Sequence, residues 1–318
     1  MTTVGHDRRG TSIVISTLSA LLACLAIVAA PSSAASQNGP LVPPSVPATG
    51  AYLGAWVNPL GLPSMGGANE IAQLPRFNSY VGEPAAILHV FIQFTDPFPA
   101  TVLDQVEQNG SIPMLDWGCA SVDDIAAGVD DGAISAMAQS LKAFGMPIFL
   151  RWYWEMNYNN PNQTTCAGYG RGAQFVAAWR HIWTIFQQTG ATNVAFVWCP
   201  VSHGDASPYY PGDHYVDWVG ADYFDLAHEG TIGFHNGFAT FYAQWASDKP
   251  MLVGATGATP VDQFQYILGM QQSALTEFPN IKAIMYFDAP GALGNFSLAG
   301  NGLSAYKTMA DTPYFGDR

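Results

Sequence analysis

"PIFLRWYWEMNYN", residues 147–159, is an apolar and aromatic run that ends on a single carboxylate, Glu155. A continuous run of apolar and aromatic residues of this length is typical of a buried strand in a parallel sheet. Residues 126–145 before it and 172–190 after it carry apolar residues at three-to-four spacing and end on glycine, as amphipathic helices do. The stretch therefore predicts a strand between two helices, with Glu155 at the end of the strand.

The same alternation of β-rich and helical runs extends along the chain in both directions. We predict eight strands, at 51–57, 86–94, 111–117, 146–154, 193–199, 216–223, 249–255 and 281–287. Eight parallel strands joined by helices favour one α/β domain over residues 51–318, folded as a closed (β/α)8 TIM barrel. A doubly wound open sheet is the alternative. No Gly-rich phosphate loop follows any of the runs, which counts against a nucleotide-binding version of that sheet.

The first 50 residues have the features of an exported protein. Arg8 and Arg9 precede an apolar run over residues 13–30 that is followed by small residues, which predicts a secretory signal peptide over residues 1–34. The arginine pair leaves a twin-arginine route open. Residues 35–50 are proline-rich and predict an extended lead-in. No later apolar run reaches the ~20 residues of a membrane span, so we expect a secreted protein without one.

Composition narrows the class of ligand. The chain has 11 Lys+Arg against 24 Asp+Glu, a formal net charge of −13, which disfavours nucleic acid and anionic membranes as partners. Aromatic residues make up 13% of the chain and charged residues only 11%, which favours a groove for a neutral ligand such as a sugar, whose C–H faces stack on aromatic rings. The histidines are scattered without ligand spacing, so we expect no metal and no cofactor. The sequence does not indicate an oligomeric state.

The cysteines predict one disulfide. Cys24 lies in the predicted signal peptide, which leaves an odd count of three cysteines in an exported domain. This count favours one disulfide and one buried thiol. We favour a bond between Cys119 and Cys166, because both lie in adjacent strand-end loops, and a free Cys199. The other two pairings stay open.

Candidate ligand contacts cluster at the predicted strand ends, where TIM barrels carry their chemistry. The candidates for substrate binding are Trp56, Trp117, Arg151, Trp154, Asn157, Trp198 and Tyr223. Aromatic residues at strand ends equally often form the upper layer of the core. Alternation along the fourth strand places Phe149, Arg151, Tyr153 and Glu155 on one face, where Arg151 would position acids by charge and hydrogen bonds. Enclosure of Glu155 by rings favours its protonated form, which a general acid needs.

Three segments together resemble glycoside hydrolase family 26, which includes β-mannanases and related β-glucanases. Residues 147–159 are similar to the fourth-strand segment of the family, in which an Arg is followed by Glu-Met-Asn. Residues 175–200, "FVAAWRHIWTIFQQTGATNVAFVWCP", resemble the next helix and strand, and residues 209–225, "YYPGDHYVDWVGADYFD", resemble the loop into the sixth strand. The resemblance covers about residues 51–315. It implies a retaining (β/α)8 barrel in which Glu155 is the acid/base.

The sequence departs from the family pattern at two positions. Trp154 stands where the family usually has a His before the acid/base. In "KPMLVGATG", residues 249–257, Ala255 stands where the resemblance places the nucleophilic Glu. Retaining hydrolysis needs two carboxyl groups roughly 5 Å apart, and an alanine cannot attack a sugar. Possible substitutes are Asp116, Asp222 and Asp288; an acid at roughly 6.5–9.5 Å from Glu155 would instead activate water and make the reaction inverting.

These observations favour a secreted glycosidase acting on a neutral β-linked polysaccharide or oligosaccharide of β-mannan or β-glucan type, with Glu155 as general acid/base and no standard nucleophile. The alternative is an inactive pseudoenzyme of the same fold that binds carbohydrate. A third possibility is a barrel that acts in envelope assembly through protein contacts.

Overall fold

A computed structural model of the chain describes residues 40–64, 66–159, 166, 168–226, 233–247 and 249–316. The predicted signal peptide and the first residues of the predicted lead-in lie outside this part of the chain. Residues 40–50 contain no helix or strand. Ala51 then donates a backbone hydrogen bond to Tyr314 O, which joins the start of the first strand to the end of the domain.

Eight parallel strands form a closed barrel in which each strand pairs with the next and the eighth pairs with the first. The strands are β1 (Tyr52–Val57), β2 (Ile87–Ile92), β3 (Ile112–Trp117), β4 (Ile148–Trp152), β5 (Val194–Trp198), β6 (Trp218–Asp225), β7 (Met251–Ala258) and β8 (Ile281–Asp288). The predicted (β/α)8 TIM barrel is confirmed, and the predicted strands match the observed ones to within a few residues.

The helices surround the barrel. They are α1 (Ala68–Val81), α2 (Ala100–Gln108), α3 (Val122–Ala126), α4 (Asp131–Phe144), α5 (Gly172–Thr189), α6 (Gly233–Trp245), α7 (Gln263–Thr276) and α8 (Gly300–Ala310). Gly145 and Gly190 end α4 and α5 in the left-handed conformation, which glycine adopts without steric cost. A short hairpin of β9 (Pro290–Gly291) and β10 (Gly294–Asn295) follows β8.

Side chains fill the barrel, so its interior is a core and not a pore. The inner core includes Tyr52, Met114, Phe149, Trp218 and Met285, all at most 4% exposed. A larger apolar cluster lies between the outer face of the barrel and the helices. In α5 its members recur at helical spacing, as Phe175, Ala178, Trp179, Ile182 and Phe186.

A bulge in β7 changes which residues face the interior. Ala221 of β6 pairs with Val253, but the next residue, Asp222, pairs with Ala255, so Gly254 is the extra residue. A Cβ atom on Gly254 would lie 2.3 Å from Cys199 Sγ and 2.4 Å from Asp222 Oδ1. Gly254 and Ala255 therefore both face the barrel interior, and only glycine fits at the first of them.

Candidate active site

Glu155 lies on a strained turn directly after β4. Tyr153 and Glu155 have φ values of 48° and 58°, and they are the only non-glycine residues with positive φ in the described part of the chain. Each such residue costs on the order of 1–3 kcal/mol and persists only where its surroundings hold it. Tyr153 N donates to Trp117 O at 3.2 Å and Glu155 N donates to Cys199 O at 2.9 Å. The turn is thus fixed to the ends of β3 and β5.

This turn corrects the predicted alternation of β4. Phe149 and Arg151 face the barrel interior, as expected, but the strand ends at Trp152. The ring of Tyr153 packs outside the barrel against Phe175 of α5, at a centroid distance of 5.6 Å. The prediction that Tyr153 shares the inner face was wrong, because a left-handed residue resets the direction of the side chains that follow it.

Glu155 lines a groove of about 640 Å³ at the carboxyl ends of β4, β5 and β6. The groove continues outward between the segment after β5 and helix α6. Its described lining residues are Glu155, Tyr158, Val201, Ser202, His203, Gly204, Asp222, Tyr223, Phe224, Leu226, Asn236, Gly237, Thr240, Phe241, Gln244, Trp245 and Leu293. Of the predicted site residues, Glu155, Asp222 and Tyr223 meet here. Rings and amides along one wall suit a ligand with alternating apolar faces and hydroxyl groups.

A buried ion-pair network lies beneath the turn. Arg151 Nη1 donates to both carboxylate oxygens of Asp222, at 2.9 and 3.0 Å, and Arg151 Nε donates to Asp116 Oδ1. His89 Nδ1 lies 2.5 Å from the other oxygen of Asp116. Burial alone would lower the pKa of Arg151, but the two carboxylates raise it. Arg151 is 1% exposed, so it positions acids as predicted but does not offer the surface of a substrate contact.

The three aspartates considered as substitute nucleophiles are all held by other groups. Asp116 is 0% exposed within the network. Asp288 is also 0% exposed; it accepts a hydrogen bond from Tyr80 of α1 and another from Leu298 N at 2.7 Å. The structure does not bring Asp116 or Asp288 to the groove. Asp222 borders it but is 2% exposed, and burial raises its pKa against the opposing effect of Arg151.

Two of the predicted sugar-binding tryptophans are core residues. Trp117 is 0% exposed, stacks on Phe94 at 4.5 Å and donates from Nε1 to Phe94 O. Trp198 is 0% exposed and donates from Nε1 to Tyr209 O. The prediction that they contact substrate was wrong, because both side chains point outward from the barrel into the layer of helices.

The other two predicted tryptophans, Trp56 and Trp154, belong to a row of aromatic side chains at the barrel mouth, which we call the aromatic rim. Its members, all partly exposed, are Trp56, Phe91, Trp154, Phe224 and Phe287. Trp56 lies 5.2 Å from Phe91 and 4.3 Å from Phe287, Phe91 lies 5.2 Å from Trp154, and Phe287 lies 5.4 Å from Phe224. The Arg151 guanidinium lies over Trp154 at 5.3 Å. The mouth of the barrel is therefore lined by aromatic rings, and Glu155 directly follows one of them, Trp154.

Asn157 holds a loop in place. Its amide nitrogen donates to Val201 O and His203 O, and its amide oxygen accepts from Val201 N at 2.9 Å. Both donors are used in fixing the segment after β5, so Asn157 shapes the groove and is a positioning residue in place of the predicted direct ligand.

The predicted cysteine pair is bonded in the structure. Cys119 and Cys166 form a disulfide with Cα atoms 5.5 Å apart, and Cys199 is a buried free thiol. The thiol of Cys199 donates to Asp222 Oδ1 at 3.0 Å.

Sequence reasoning missed the wall of the groove that α6 supplies. Asn236, Thr240 and Gln244 line it at a spacing of four residues, beside Phe241 and Trp245. The spacing is visible in the sequence as a polar stripe on an otherwise apolar helix. The strand-end pattern does not indicate it, because these residues lie on a helix. Ser202 also lines the groove, and its Oγ is buried without a hydrogen-bond partner among the described residues.

In the described part of the chain, no group of three or more His, Cys, Asp or Glu side chains is arranged to hold a metal ion. Within the same residues, no helix is both long and apolar enough to cross a membrane.

Comparison with known proteins shows which family the barrel resembles. Residues 119–276 match the model of glycosyl hydrolase family 26. The resemblance to glycoside hydrolase family 26 is confirmed. The match begins at the disulfide and ends in α7, so it includes Glu155, the groove and Ala255. It excludes Trp56, Phe91 and Phe287 of the aromatic rim.

Curated relatives are similar over part of their length. The chain is 29% identical to Endoglucanase H of Acetivibrio thermocellus over 269 residues, which cover 75% of this chain and 28% of that protein. It is 30% identical to the β-1,3-xylanase TXYA of a Vibrio species over 111 residues, which cover 32% of this chain and 22% of that protein. The chain thus matches less than a third of the length of each of these relatives.

Solved structures of the family share the fold. The family 26 domain of an endo-β-mannanase/endo-β-glucanase from Prevotella bryantii superposes with a TM-score of 0.57 at 12% identity, covering 84% of this chain and 90% of that one. A family 26 β-mannanase from Bacteroides ovatus gives 0.57 at 13% identity, covering 85% and 92%.

Proposed function

We propose that this domain hydrolyses O-glycosidic bonds of a neutral β-linked polysaccharide of β-glucan or β-mannan type, outside the cell as its N-terminal sequence predicts. The observation that carries the proposal is the position of Glu155. Its strained backbone is fixed to the ends of β3 and β5, and Glu155 lines a groove of about 640 Å³. Family members support a glycosidase: the relatives named above are an endoglucanase, a β-1,3-xylanase and β-mannanases.

Glu155 acts as general acid and then as general base. It donates a proton to the oxygen that leaves the anomeric carbon as water forms the new bond to that carbon, and a proton released by this water restores the acid. The rings of Tyr158, Tyr223 and Trp245 offer apolar faces for sugar rings, while Asn236 and Gln244 offer amides for hydroxyl groups. Arg151 donates two hydrogen bonds to Asp222 and holds this carboxyl group in place beneath the site.

The proposal is tested by sugar release from mannans, β-glucans, β-xylans and bacterial envelope glycans, comparing the wild type with Glu155→Gln. We expect release by the wild type and a loss of about 10²–10⁴-fold in the variant, the usual contribution of general acid–base catalysis. Glu107→Gln is the control, since Glu107 is exposed on α2. Equal release by wild type and Glu155→Gln would overturn the role of Glu155.

A second candidate function is carbohydrate binding without cleavage. The observation that favours it is Ala255, which faces the barrel interior where the family resemblance places the nucleophile, while Asp116 and Asp288 are buried away from the groove. Isothermal titration separates the two functions. Oligosaccharide binding without release of any product would favour this second candidate, and release would exclude it.

A further inference from the structure

We propose that helix α6 binds sugars of the glycan chain that do not themselves react, in an outer part of the groove that we call the α6 subsite. Its residues are Asn236, Thr240, Gln244 and Trp245. This inference rests on the proposed function and deepens it, because it gives the direction in which the chain extends from Glu155 and the residues that hold it. Three observations carry it: the course of the groove, the polar row along α6, and the fixed walls.

The first observation is that one groove contains both Glu155 and the far end of α6. Glu155 and Asp222 line it at the barrel mouth, and Gln244 and Trp245 line it as well. The helix after β6 leads the chain back to the start of the parallel strand β7, so Trp245, its last residue, lies farthest from the mouth. A sugar chain that fills the groove therefore passes Glu155 and continues along the outside of the barrel.

The second observation is the row of polar side chains along α6. Asn236, Thr240 and Gln244 are exposed and line the groove at a spacing of four residues. Four residues advance a helix by about 6 Å, so the row is about 12 Å long. This length exceeds that of one pyranose ring, so the row faces two or more consecutive sugars. Gln244 Nε2 donates to Ser207 Oγ at 3.1 Å, which uses only one of the two N–H donors of its amide.

The chemistry of the α6 subsite fits an uncharged chain. Among the described lining residues of the groove, the only carboxylates are Glu155 and Asp222 at the mouth, and none is Lys or Arg. Trp245 adds a partly exposed indole ring, which packs on Trp198 and Tyr210 at centroid distances of 4.8 Å. Amides and a hydroxyl group beside a fixed ring suit the hydroxyl groups and C–H faces of neutral sugars.

The third observation is that the walls of the groove are fixed. A Cβ atom on Gly237 would lie 2.5 Å from Tyr223 Cδ1, so the tyrosine ring lies directly against the backbone of α6. Glycine inside a helix is otherwise unfavourable, and here it allows this contact. On the opposite wall, Ser202 N donates to Asp222 O at 3.0 Å. A groove that is already formed requires little ordering when a chain binds, which favours its use as a binding site.

The test measures the binding of oligosaccharides of two lengths. Isothermal titration in the Glu155→Gln protein, which prevents cleavage, compares cellobiose with cellohexaose and mannobiose with mannohexaose. Thr240→Ala/Gln244→Ala removes two exposed polar groups of the α6 subsite. Gln272→Ala/Thr276→Ala is the matched control, since the same residue types are exposed on α7 at the same spacing, outside the groove.

We expect the α6 double variant to bind the hexasaccharide about tenfold more weakly, as the loss of one or two hydrogen bonds predicts, with a smaller change for the disaccharide. The α7 double variant should bind both as the parent does. A longer chain offers more registers to any site, so the comparison of variants decides and not chain length alone.

Kinetics supply a second measurement in the protein with Glu155 intact. The α6 double variant should raise the KM for the polysaccharide by about tenfold and change kcat less, because uniform binding away from the reacting bond contributes to KM. A fall in kcat with an unchanged KM would overturn the inference.

The outcomes separate this inference from the proposed function. Equal hexasaccharide affinity in the α6 and α7 variants would overturn the inference, and sugar release by the wild type would leave the proposed function standing. Equal weakening of the disaccharide and the hexasaccharide would also overturn it, because the lost groups would then contact sugars next to Glu155. Binding of neither hexasaccharide would overturn the inference, and absence of sugar release as well would overturn the proposed function.

Discussion

At the scale of single residues, the site depends on one buried cation. Arg151 lies between Asp116 and Asp222, and all three are at most 2% exposed. A buried carboxylate that loses its partner costs about 3–5 kcal/mol, whereas an exposed ion pair contributes about 0–1 kcal/mol. Removal of the cation alone is therefore expected to destabilise the fold as well as the base of the site.

Arg151→Met should lower the free energy of unfolding by about 3–5 kcal/mol, because it leaves two buried carboxyl groups without the cation between them. Arg171→Met is the matched control, since the Arg171–Asp123 pair is 35% and 58% exposed; it should cost at most about 1 kcal/mol. Urea unfolding measures both. Equal losses in the two variants would contradict the account of the network.

At the scale of elements, two local irregularities build the mouth of the barrel. The left-handed turn after β4 carries Glu155 into the groove, and the bulge in β7 turns Ala255 inward. The disulfide between Cys119 and Cys166 joins the segment after β3 to the segment before α5. Each feature departs from the regular geometry of a strand or helix, and each lies where the parallel strands end.

Gly254→Ala tests the bulge. The new Cβ would meet Cys199 Sγ and Asp222 Oδ1 well inside contact distance, so we expect a loss of about 1–3 kcal/mol in the free energy of unfolding. The control is Gly132→Ala in α4, where nothing lies within 4 Å of the new Cβ; it should stabilise by about 0.5–1 kcal/mol. Thermal unfolding of both variants measures these changes. An unchanged free energy of unfolding in Gly254→Ala would contradict the described packing.

Replacement of Cys119 and Cys166 by serine tests the disulfide. The disulfide closes a loop with a sequence separation of 47, so its removal should lower the free energy of unfolding by about 2–4 kcal/mol. Cys199→Ser, which removes the free thiol, is the comparison. Unchanged stability of the double variant under oxidising conditions would argue against a bond that constrains the chain.

At the scale of the whole molecule, acid groups outnumber basic ones, with a formal net charge of −13. Burial raises the pKa of Asp222 and Asp288. A carboxyl group whose pKa is higher in the folded protein stabilises it below the unfolded pKa, and this contribution is lost as the pH rises through the folded pKa. Self-repulsion of negative charge acts in the same direction.

The domain should therefore have a higher free energy of unfolding near about pH 5 than near about pH 7.5. Urea unfolding at the two pH values measures this difference. Asp288→Asn should reduce the difference, because the buried group no longer titrates. A wild type that gains stability toward higher pH over this range would contradict the prediction.

The sequence was sufficient for the barrel but not for the direction of several side chains. Apolar runs that alternate with amphipathic helices specify eight parallel strands, and the resemblance placed Glu155 in the groove. Trp117 and Trp198 were misassigned because their position at strand ends does not reveal that they point outward. Tyr153 was misassigned because alternation assumes a regular strand, and the network around Arg151 joins residues of β2, β3, β4 and β6 that no local pattern connects.

We propose Glu155 as the donor of the proton to the leaving oxygen. The most direct measurement compares wild type and Glu155→Gln on a polysaccharide and on an aryl glycoside of the same sugar, whose acidic leaving group needs no proton. We predict that the variant loses cleavage of the polysaccharide by about 10²–10⁴-fold but retains release of the aryl group. Equal loss on both substrates, or no loss on either, would contradict the account.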